Sequence, residues 1–527
     1  MKFSSALFAA LVAASCVSVS SHVLAADAAA DSAKGAAHAA EHGGIAWQQG
    51  DVDAAFALAK SSNKPLFLYW GAVWCPPCNQ VKATIFNRQD FIERSRFFVP
   101  VYIDGDSPSA QKLGTRFKVS GYPTMILFKP DGSEVTRLPG EVDGARYLQV
   151  LELGMNATHS VADTLKAALL PEPKLSPAQW RMLSYYTWDG GEQQLVKNDE
   201  VAATLQKLAS ACNVPEIALR LQLKAWVAMS GQKTEQRPAI DRASAVARLL
   251  TLLADARQTR DNMDVLVYGA SNLTELLTAT GAEQNKLLAA FDSALNVLMK
   301  DQTLSKPDRV AIISSQINLA RVLTPKGALP AELVQQVQQR VNDLDKSTSN
   351  PYERQAVISD AAHALTDVGL IDQSDDLLKA ELKRSQAPYY YMLTLASNAK
   401  KRNDKAGALN WYEQGYQAAK GPATRLQWGA SYLTNLLDLA PHDEERIAKA
   451  AQGVLTELAA TRDAFYTRNR GSLGRIGKKL SAWNADGKHQ QVFGKVQAQL
   501  NGICAKTPEA DGQKSACESI LSNNKSS

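Results

Sequence analysis

Cysteine is scarce in this chain, and neither sign of charge predominates. Six cysteines in 527 residues exclude a small fold held together by many disulfides. Lysine and arginine number 58 against 53 acidic residues, and the net charge of +5 is too small to indicate a nucleic-acid-binding surface. After the N-terminus no apolar run is long enough to span a bilayer. With 45% hydrophobic residues, the chain is instead predicted to form two to four globular domains.

The first 25 residues have the composition of a signal peptide. Lys2 supplies the positive charge, residues 6–17 are apolar, and small residues precede an expected cleavage after Ala25. The apolar stretch is too short to cross a membrane as a helix. We therefore expect an exported protein, located in a bacterial periplasm. A lipid anchor at Cys16 is the alternative, although the sequence before it lacks the usual leucine.

Residues 26–44 are rich in alanine and are predicted to form a flexible linker. His38 and His42 are four residues apart, a spacing that could hold a metal ion on one face of a helix. Because two ligands do not make a closed site, a solvated linker is the preferred interpretation and no metal site is predicted.

The remaining cysteines fall into three groups. Cys75 and Cys78 form a Cys-Pro-Pro-Cys motif. Cys504 and Cys517 lie close together near the C-terminus, where an oxidising compartment favours a disulfide worth ~3 kcal/mol. Cys212 stands in an apolar context and is expected to be a small buried side chain.

Residues 45–156 alternate between strand and helix patterns in the order β-α-β-α-β-β-α. Turn signals separate these segments, and Asp131-Gly132 is a hairpin signal between the last two strands. The pattern therefore predicts an α/β domain. The predicted strands are 65–70, 97–104, 124–128 and 134–138, and helices are predicted to begin near 51, 78, 88, 107 and 143.

The Cys-Pro-Pro-Cys motif falls between the first strand and the helix that follows it. A helix N-terminus carries partial positive charge, which favours the thiolate over the thiol. Cys75 is therefore expected to be the exposed nucleophile, and Cys78, one turn into the helix, the resolving thiol. A zinc site is the alternative, but no second pair of cysteines or histidines stands at ligand spacing.

With its surroundings this motif resembles the thioredoxin fold. Within that family it is most similar to the periplasmic thioredoxin-like domains of disulfide reductases and cytochrome-maturation proteins. The resemblance covers about a fifth of the chain. The shared residues are Trp74-Cys75-Pro76-Pro77-Cys78, the strand 101–104, Gly121-Tyr122-Pro123-Thr124, Asp131-Gly132 and Gly140.

The resemblance implies a role for each of five residues. Cys75 would attack a protein disulfide, and Cys78 would resolve the mixed disulfide. Pro123 would follow a cis peptide bond, the backbone of Tyr122 would pair with an extended substrate, and Trp74 would shield the site. The substrates would be proteins that carry disulfides, and no cofactor is expected.

One departure from the family and one feature of the motif bear on the chemistry of this domain. Tyr69 occupies the position at which many thioredoxins carry a buried aspartate, and a phenol is a poor base at neutral pH. The group that deprotonates Cys78 is therefore left open. Pro76 and Pro77 remove two backbone N–H donors near the thiolate, which favours a low reduction potential and hence a reductase over an oxidase.

The larger part of the chain has the pattern of helices. We predict a linker at 157–177, an all-helical region at 178–481 and a helical tail at 482–527 that contains the C-terminal disulfide. Small and large residues recur 34 residues apart between 361 and 415, which is the tetratricopeptide period. The region therefore resembles degenerate tetratricopeptide repeats in an α-solenoid, and an irregular helical domain is the alternative.

Two stretches of this region invite a functional interpretation. Residues 389–391 are three consecutive tyrosines, which could line a peptide groove but more often fill a helical core. Residues 468–479 are basic and spaced by glycines. They predict a solvated turn between helices rather than an anion site, because the Gly-Lys-Ser/Thr ending of a phosphate loop is absent.

The sequence thus predicts an exported thiol–disulfide oxidoreductase of the reductase type, whose helical region binds a client or partner. A reductant in an oxidising compartment has to be recharged, which implies a membrane electron donor. The alternative is a helical-repeat scaffold or chaperone in which the redox pair is accessory. Nucleic acid is not an expected partner, and no transmembrane segment is expected after the signal peptide.

Overall fold

A computed structural model describes residues 44–119, 121–140, 142–188 and 195–521. The predicted signal peptide (1–25), Cys16 and the pair His38 and His42 lie outside these ranges, so the expectations about them stay predictions. Within the described ranges, none of the helices is both long and apolar enough to cross a bilayer.

The first domain is an α/β fold with one mixed sheet. Its elements are α1 (Val52–Ser62), β1 (Leu66–Gly71), α2 (Pro76–Val81, continued by a π-helical turn, Lys82–Phe86), α3 (Gln89–Arg94), β2 (Val99–Asp104), α4 (Ala110–Arg116), β3 (Thr124–Phe128), β4 (Glu134–Leu138) and α5 (Gly144–Met155). The strands lie in the order β2-β1-β3-β4. β2 is parallel to β1, β3 is antiparallel to β1, and β4 is antiparallel to β3. The succession of strands and helices predicted from the sequence is confirmed.

β1 is a central strand of this sheet and is buried on both faces. All of its residues, Leu66–Gly71, are buried. Phe67 and Tyr69 belong to the apolar cluster on one side, and Leu68 and Trp70 to the cluster on the other. Successive side chains of a strand point to opposite faces, so a run without polar residues needs a cover on both. β1 therefore fixes the position of the loop that leads into α2.

The segment 157–177, expected as a linker, contains a packed helix. This helix, α6 (Val161–Ala168), buries Val161, Leu165 and Ala168. It contacts β4 and the first helix of the region that follows. The α/β domain and the rest of the chain are therefore joined through an ordered element.

The described residues from 177 to 521 form helices and turns, so the predicted fold class, an α/β domain followed by a large all-helical region, is confirmed. The helices are α7 (Pro177–Tyr185), α8 (Val201–Ala211), α9 (Pro215–Ser230), α10 (Arg242–Ala254), α11 (Ala256–Asp261), α12 (Met263–Leu277), α13 (Ala282–Met299), α14 (Lys306–Leu323), α15 (Ala331–Ser347), α16 (Pro351–Asp367), α17 (Ile371–Glu381), α18 (Pro388–Lys401), α19 (Lys405–Ala418), α20 (Pro422–Leu439), α21 (Glu444–Ala460), α22 (Thr467–Trp483), α23 (Gln490–Cys504) and α24 (Gln513–Glu518).

Helices α16 to α21 pack as neighbours in sequence order. Several of these helices begin at a side-chain N-cap. Asn350, Asp404 and Asp443 each accept a hydrogen bond from a backbone N–H of the first helical turn. Sequential packing of this kind is typical of solenoids. The successive pairs from α16 to α23 begin at irregular intervals, and the tetratricopeptide interpretation stays a prediction.

The stretch 468–479 is helical, so the turn predicted from its glycines is wrong. It lies within α22. Gly477 faces the carbonyl oxygen of Ile520 so closely that a Cβ at this position would overlap it. The glycine therefore serves the close approach of the C-terminal tail to α22 rather than a turn.

A disulfide joins Cys504, at the end of α23, to Cys517 in α24. Both residues are buried, with exposures of 3% and 0%, and they belong to the apolar core of the last helices. Cys212 is a free thiol and is partly exposed rather than fully buried. Partial burial raises the pKa of Cys212.

Candidate active site

Cys75 and Cys78 stand at the N-terminus of α2. They form a disulfide in this structure, with their Cα atoms 5.2 Å apart. Cys75 is the N-cap residue, and its Sγ accepts a bond from the Cys78 N–H at 3.1 Å. Pro76 and Pro77 follow it, because the fixed φ of proline suits the start of a helix and the first turn needs no intrahelical N–H. The Cys78 N–H is thus the backbone donor available to a reduced Cys75 sulfur.

Asn79 fixes the loop in front of the two cysteines. Its side chain is 2% exposed, and its Nδ2 donates to the carbonyl oxygens of Val73 and Cys75, at 2.9 Å each. A buried amide that satisfies two backbone carbonyls holds their segment in one conformation. Sequence reasoning missed this residue, since its only signal was its position directly after the motif.

The peptide bond between Tyr122 and Pro123 is cis, as the family resemblance implied. The ring of Tyr122 lies 5.9 Å from that of Trp74 in an edge-on arrangement. The Tyr122 hydroxyl accepts a bond from Gln111 Nε2 at 3.2 Å. The loop before β3 therefore stands beside the loop before α2, and the predicted site residues come together.

A zinc ion at the cysteine pair finds no further ligands in the described residues. Nowhere in the described ranges do three side chains of histidine, cysteine, aspartate or glutamate form a group that could hold a metal. A structural zinc ion needs four ligands in a tetrahedral arrangement. The two cysteines instead form a disulfide in this structure, and a pair of this kind supports thiol–disulfide exchange.

The two sulfurs are closed off from solvent. Cys75 is 2% exposed, Cys78 is 0% exposed, and Trp74 is 8% exposed. The prediction of an exposed Cys75 is wrong, because helices α16, α18, α20 and α22 cover this face of the α/β domain.

Trp74 is enclosed by side chains of the helical region. Its Nε1–H donates to the Thr424 hydroxyl at 2.8 Å. Tyr390 stacks on the indole with the ring centroids 5.9 Å apart, and Trp428 meets its edge at 4.9 Å. The guanidinium of Arg468 lies 5.5 Å from the indole centroid. The Trp74 indole, which was predicted to contact a substrate, is therefore covered by side chains of the same chain.

Asp106 links the α/β domain to the N-terminus of α20. Its Oδ1 accepts the Thr424 N–H at 2.7 Å, and its Oδ2 accepts the Thr424 hydroxyl. The carboxylate thus caps α20 from the other domain and lies at the positive end of that helix. Gly421 leaves room for it, since a Cβ there would overlap the carboxylate. We call Asp106 and Thr424 the latch.

Comparison with known proteins identifies the first domain. A family model described as a thioredoxin-like domain matches residues 52–154, within the predicted 45–156. Thioredoxin from Mycobacterium tuberculosis is 35% identical over 101 residues, which cover 19% of this chain and 83% of that protein. The chain belongs to the thioredoxin family. Its first domain is a thioredoxin-like disulfide oxidoreductase domain with a Cys-x-x-Cys motif.

Longer relatives match over a small part of their length. The thiol:disulfide interchange protein DsbD of Pseudomonas fluorescens is 30% identical over 103 residues, which cover 19% of this chain and 18% of DsbD. The chain therefore spans about a fifth of the length of that relative. The solution structure of a thioredoxin from Thermus thermophilus aligns with 26% identity and a TM-score of 0.19, over 20% of this chain and 85% of that one.

Tyr69 stands in β1 of the thioredoxin domain at the position of the usual buried acid. It is 1% exposed, and its hydroxyl has no hydrogen-bond partner among the described residues. Burial, reinforced by the charge of Asp104, raises the pKa of Tyr69 far above its ordinary value. A phenol that stays protonated in this way cannot take the proton of Cys78, so that step falls to water or to another group.

Five residues around the thioredoxin motif belong to the helical region and were not predicted. Tyr390 lies in the run of tyrosines, and Arg468 lies in the basic stretch, but neither pattern indicates a contact with Trp74. The remaining contacts carry no sequence signal at all. The five residues are Gln355, Tyr390, Thr424, Trp428 and Arg468.

We expect the latch to make the folded protein less stable as the pH rises from about 4 to about 6. Burial raises the pKa of Asp106 to about 6, against the opposing effect of the Thr424 bonds, and the charge of Asp104 adds to the rise. In that window the folded protein holds a proton that the unfolded chain has released. Stability from this group is therefore complete below the ordinary carboxylate pKa and is lost as the pH passes about 6.

The measurement is urea denaturation of the parent and of Asp106→Asn at pH values from 4 to 7.5. The amide does not titrate, so the difference in unfolding free energy between the two proteins isolates Asp106. Relative to Asp106→Asn, the parent should lose about 1–3 kcal/mol of unfolding free energy as the pH rises from 4 to 7.5. A difference that is independent of pH contradicts the prediction.

Proposed function

We propose that this protein is an exported thiol–disulfide oxidoreductase that reduces disulfides in client proteins. The observation that carries the proposal is the placement of Cys75 and Cys78 at a helix N-terminus, directly after Trp74, whose ring lies 5.9 Å from that of Tyr122 at the cis Tyr122–Pro123 bond. Trp74, Tyr122 and Pro123 are the proposed contacts for the client. This assignment rests on the thioredoxin family and on the geometry that brings these segments together.

The exchange proceeds in two displacements. The Cys75 thiolate attacks one sulfur of the client disulfide, so a mixed disulfide forms and one client thiolate leaves. The Cys78 thiolate then attacks the Cys75 sulfur, which breaks the mixed disulfide and releases the second client thiolate. The client gains two electrons, and the pair ends as the Cys75–Cys78 disulfide found in the structure.

The proposed direction is reduction of the client. Pro76 and Pro77 remove two N–H groups from the turn that surrounds the sulfur, and the donor to Cys75 Sγ is the Cys78 N–H. A weakly stabilised thiolate makes the dithiol easier to oxidise, which lowers its reduction potential. Each turnover oxidises the pair, so a dithiol donor has to recharge it, and we assign that role to a membrane electron donor.

Export and client binding complete the proposal. The signal-like composition of residues 1–25 and the buried Cys504–Cys517 disulfide both suit an oxidising compartment, for which we propose the periplasm. The helical region is proposed to bind the client or a partner, with tetratricopeptide-like pairing of its helices. A helical scaffold with an accessory redox pair is the competing assignment.

The deciding experiment measures the reduction potential of the Cys75–Cys78 pair in the full chain. Samples equilibrated in thiol–disulfide buffers are quenched with acid, and peptide mass mapping reports the oxidised fraction. We expect a potential of about −270 mV, as in thioredoxin, and no change in a Cys212→Ser control. A value of about −120 mV, typical of a strong periplasmic oxidant, overturns the reductase direction.

A trapping experiment tests the exchange itself. Without the resolving thiol, Cys78→Ser should accumulate a mixed disulfide between Cys75 and a purified protein that contains an accessible disulfide. The matched control is the double variant Cys75→Ser/Cys78→Ser, which has no nucleophile at the site. If the single variant forms no more adduct than the double variant after prolonged incubation, the competing scaffold assignment is favoured.

A further inference from the structure

The face of the thioredoxin domain that would meet a client is covered by four helices of the same chain. Gln355 of α16 donates to the Trp74 carbonyl at 3.4 Å, and Tyr390 of α18 stacks on the Trp74 ring. Thr424 of α20 holds the indole N–H, and Arg468 of α22 lies 4.8 Å from the ring centroid of Tyr122. We call helices α16, α18, α20 and α22 the cap.

The cap leaves no room for a protein disulfide at Cys75. Exchange requires a client sulfur in contact with Cys75 Sγ, and that residue is 2% exposed. A cavity bordered by Val73 and Asn79 opens next to the site, between the loop before α2 and the cap, but its volume is about 150 Å³. Pockets that bury even a drug-sized ligand have volumes of about 300–1,000 Å³, so a folded client cannot enter there.

The cap is held near the motif by packing and by polar bonds at a few points. Besides the contacts on Trp74 and Tyr122, α16 packs along α2, and the polar bonds are the latch and a bond from the Thr467 hydroxyl to Gln111 Oε1 at 2.7 Å. The last helices have an apolar core of their own, but Tyr389 of α18 and Trp428 of α20 belong to the same apolar cluster as Cys75 and Trp74. Exposure of Cys75 therefore requires a local opening that separates both the ring contacts and the polar bonds, and openings of this kind occur at free energies up to that of global unfolding.

From this arrangement we infer that the helical region is an intramolecular cap, which withholds Cys75 from protein disulfides until its helices move away from Trp74. The inference goes beyond the proposed function, because it concerns access to the sulfur and not the direction of exchange. The cap occupies the same contacts, on Trp74 and Tyr122, that the client is proposed to use. A client therefore has to displace it, and exchange is limited by the open fraction of the protein.

The test measures how fast a maleimide reagent alkylates Cys75 in the full chain. A Cys78→Ser background keeps Cys75 as a free thiol without added reductant, and peptide mass mapping distinguishes it from Cys212. We expect Cys75 to react at least about a hundredfold more slowly in the folded protein than in urea, because reaction requires opening. A Cys75 that reacts equally fast in both conditions overturns the cap.

Thr424→Val opens the latch, since it removes both the acceptor for the Trp74 indole and one donor to the Asp106 carboxylate. We expect alkylation of Cys75 to accelerate at least about tenfold. The matched control is Thr434→Val on the same helix, whose hydroxyl bonds only to backbone carbonyls of α20. A Thr424→Val protein that reacts no faster than Thr434→Val contradicts the cap.

A second variant guards against a local folding defect in α20. Tyr390→Ala removes the stacking partner of Trp74 from α18 and leaves the latch intact. We expect it also to accelerate alkylation, with a circular dichroism spectrum like that of the parent. If Thr424→Val fails to fold, Tyr390→Ala decides the question alone. A reduction potential typical of a strong periplasmic oxidant, together with a Cys75 that is protected from alkylation, would overturn the proposed reductase direction but not the cap.

Discussion

Replacing Arg220 with methionine is expected to lower the free energy of unfolding by about 3–5 kcal/mol. Arg220 of α9 and Asp264 of α12 form a bidentate ion pair, with Nη1 to Oδ1 at 2.9 Å and Nη2 to Oδ2 at 2.5 Å. Their side chains are 4% and 10% exposed. Methionine fills much of the volume but leaves the Asp264 carboxylate buried without its charge partner. The charge of Lys224 also acts on this carboxylate, but loss of the larger contribution from Arg220 leaves the buried charge poorly compensated, which is the source of the large loss.

The surroundings of the pair make substitution by another cation a poor rescue. The guanidinium of Arg220 lies 3.8 Å from the ring centroid of Tyr185, and its Nε donates to the Ser184 carbonyl at 3.3 Å.

Burial opposes ionisation of Asp264, but the charge and hydrogen bonds of Arg220 outweigh it and lower the pKa of Asp264. The contribution of Asp264 to the stability of the folded protein is therefore present above the ordinary carboxylate pKa and is lost as the pH falls below that value.

Urea denaturation followed by circular dichroism at pH 7 measures the loss. Two variants serve as controls. Arg220→Met/Asp264→Leu removes both charges and should recover most of the stability, since well-packed apolar residues can replace a buried pair. Arg257→Met breaks an exposed pair with Asp261 and should cost less than about 1 kcal/mol. The prediction is wrong if Arg220→Met is no less stable than Arg257→Met.

Local patterns predicted the thioredoxin domain well because its signals lie within short stretches of sequence. The apolar run of β1, the cysteine motif and the hairpin at Asp131-Gly132 each specify their own conformation. The cis Tyr122–Pro123 bond came from the family resemblance. Hydrophobic periodicity likewise predicted the helices of the larger region, because each one needs only its own apolar face.

The closure of the site was beyond sequence reasoning for a physical reason. The indole of Trp74 bonds to Thr424, a partner 350 residues away, and no periodic pattern encodes such a contact. The position of Cys75 at a helix N-terminus predicts an exposed thiol, but it carries no information about the distant helices that cover it. The turn predicted around Gly477 is wrong for a similar reason, because this glycine allows the close approach of the Ile520 carbonyl and does not form a turn.

The second large effect is expected at the C-terminal disulfide. Replacing Cys504 and Cys517 together with serine should lower the stability of the last helices by about 3 kcal/mol, because the bond closes a short loop and restricts the unfolded chain. The sequence separation of the two cysteines is 13. Both serines would also bring hydroxyl groups into an apolar core, where unpaired polar groups are unfavourable.

The effect should be local, because the disulfide holds α24 and the tail against α22. Leu521 is 6% exposed, and the carbonyl of Ile520 lies on Gly477, so release of α24 uncovers this part of the core. Limited proteolysis should cut the double variant between α23 and residue 521 under conditions that leave the parent intact. Cys212→Ser is the control for the loss of a thiol alone. Because both of its sulfurs are buried, this disulfide should also resist mild reductants in the folded parent. A double variant that withstands the protease as well as the parent does would contradict a structural role for the bond.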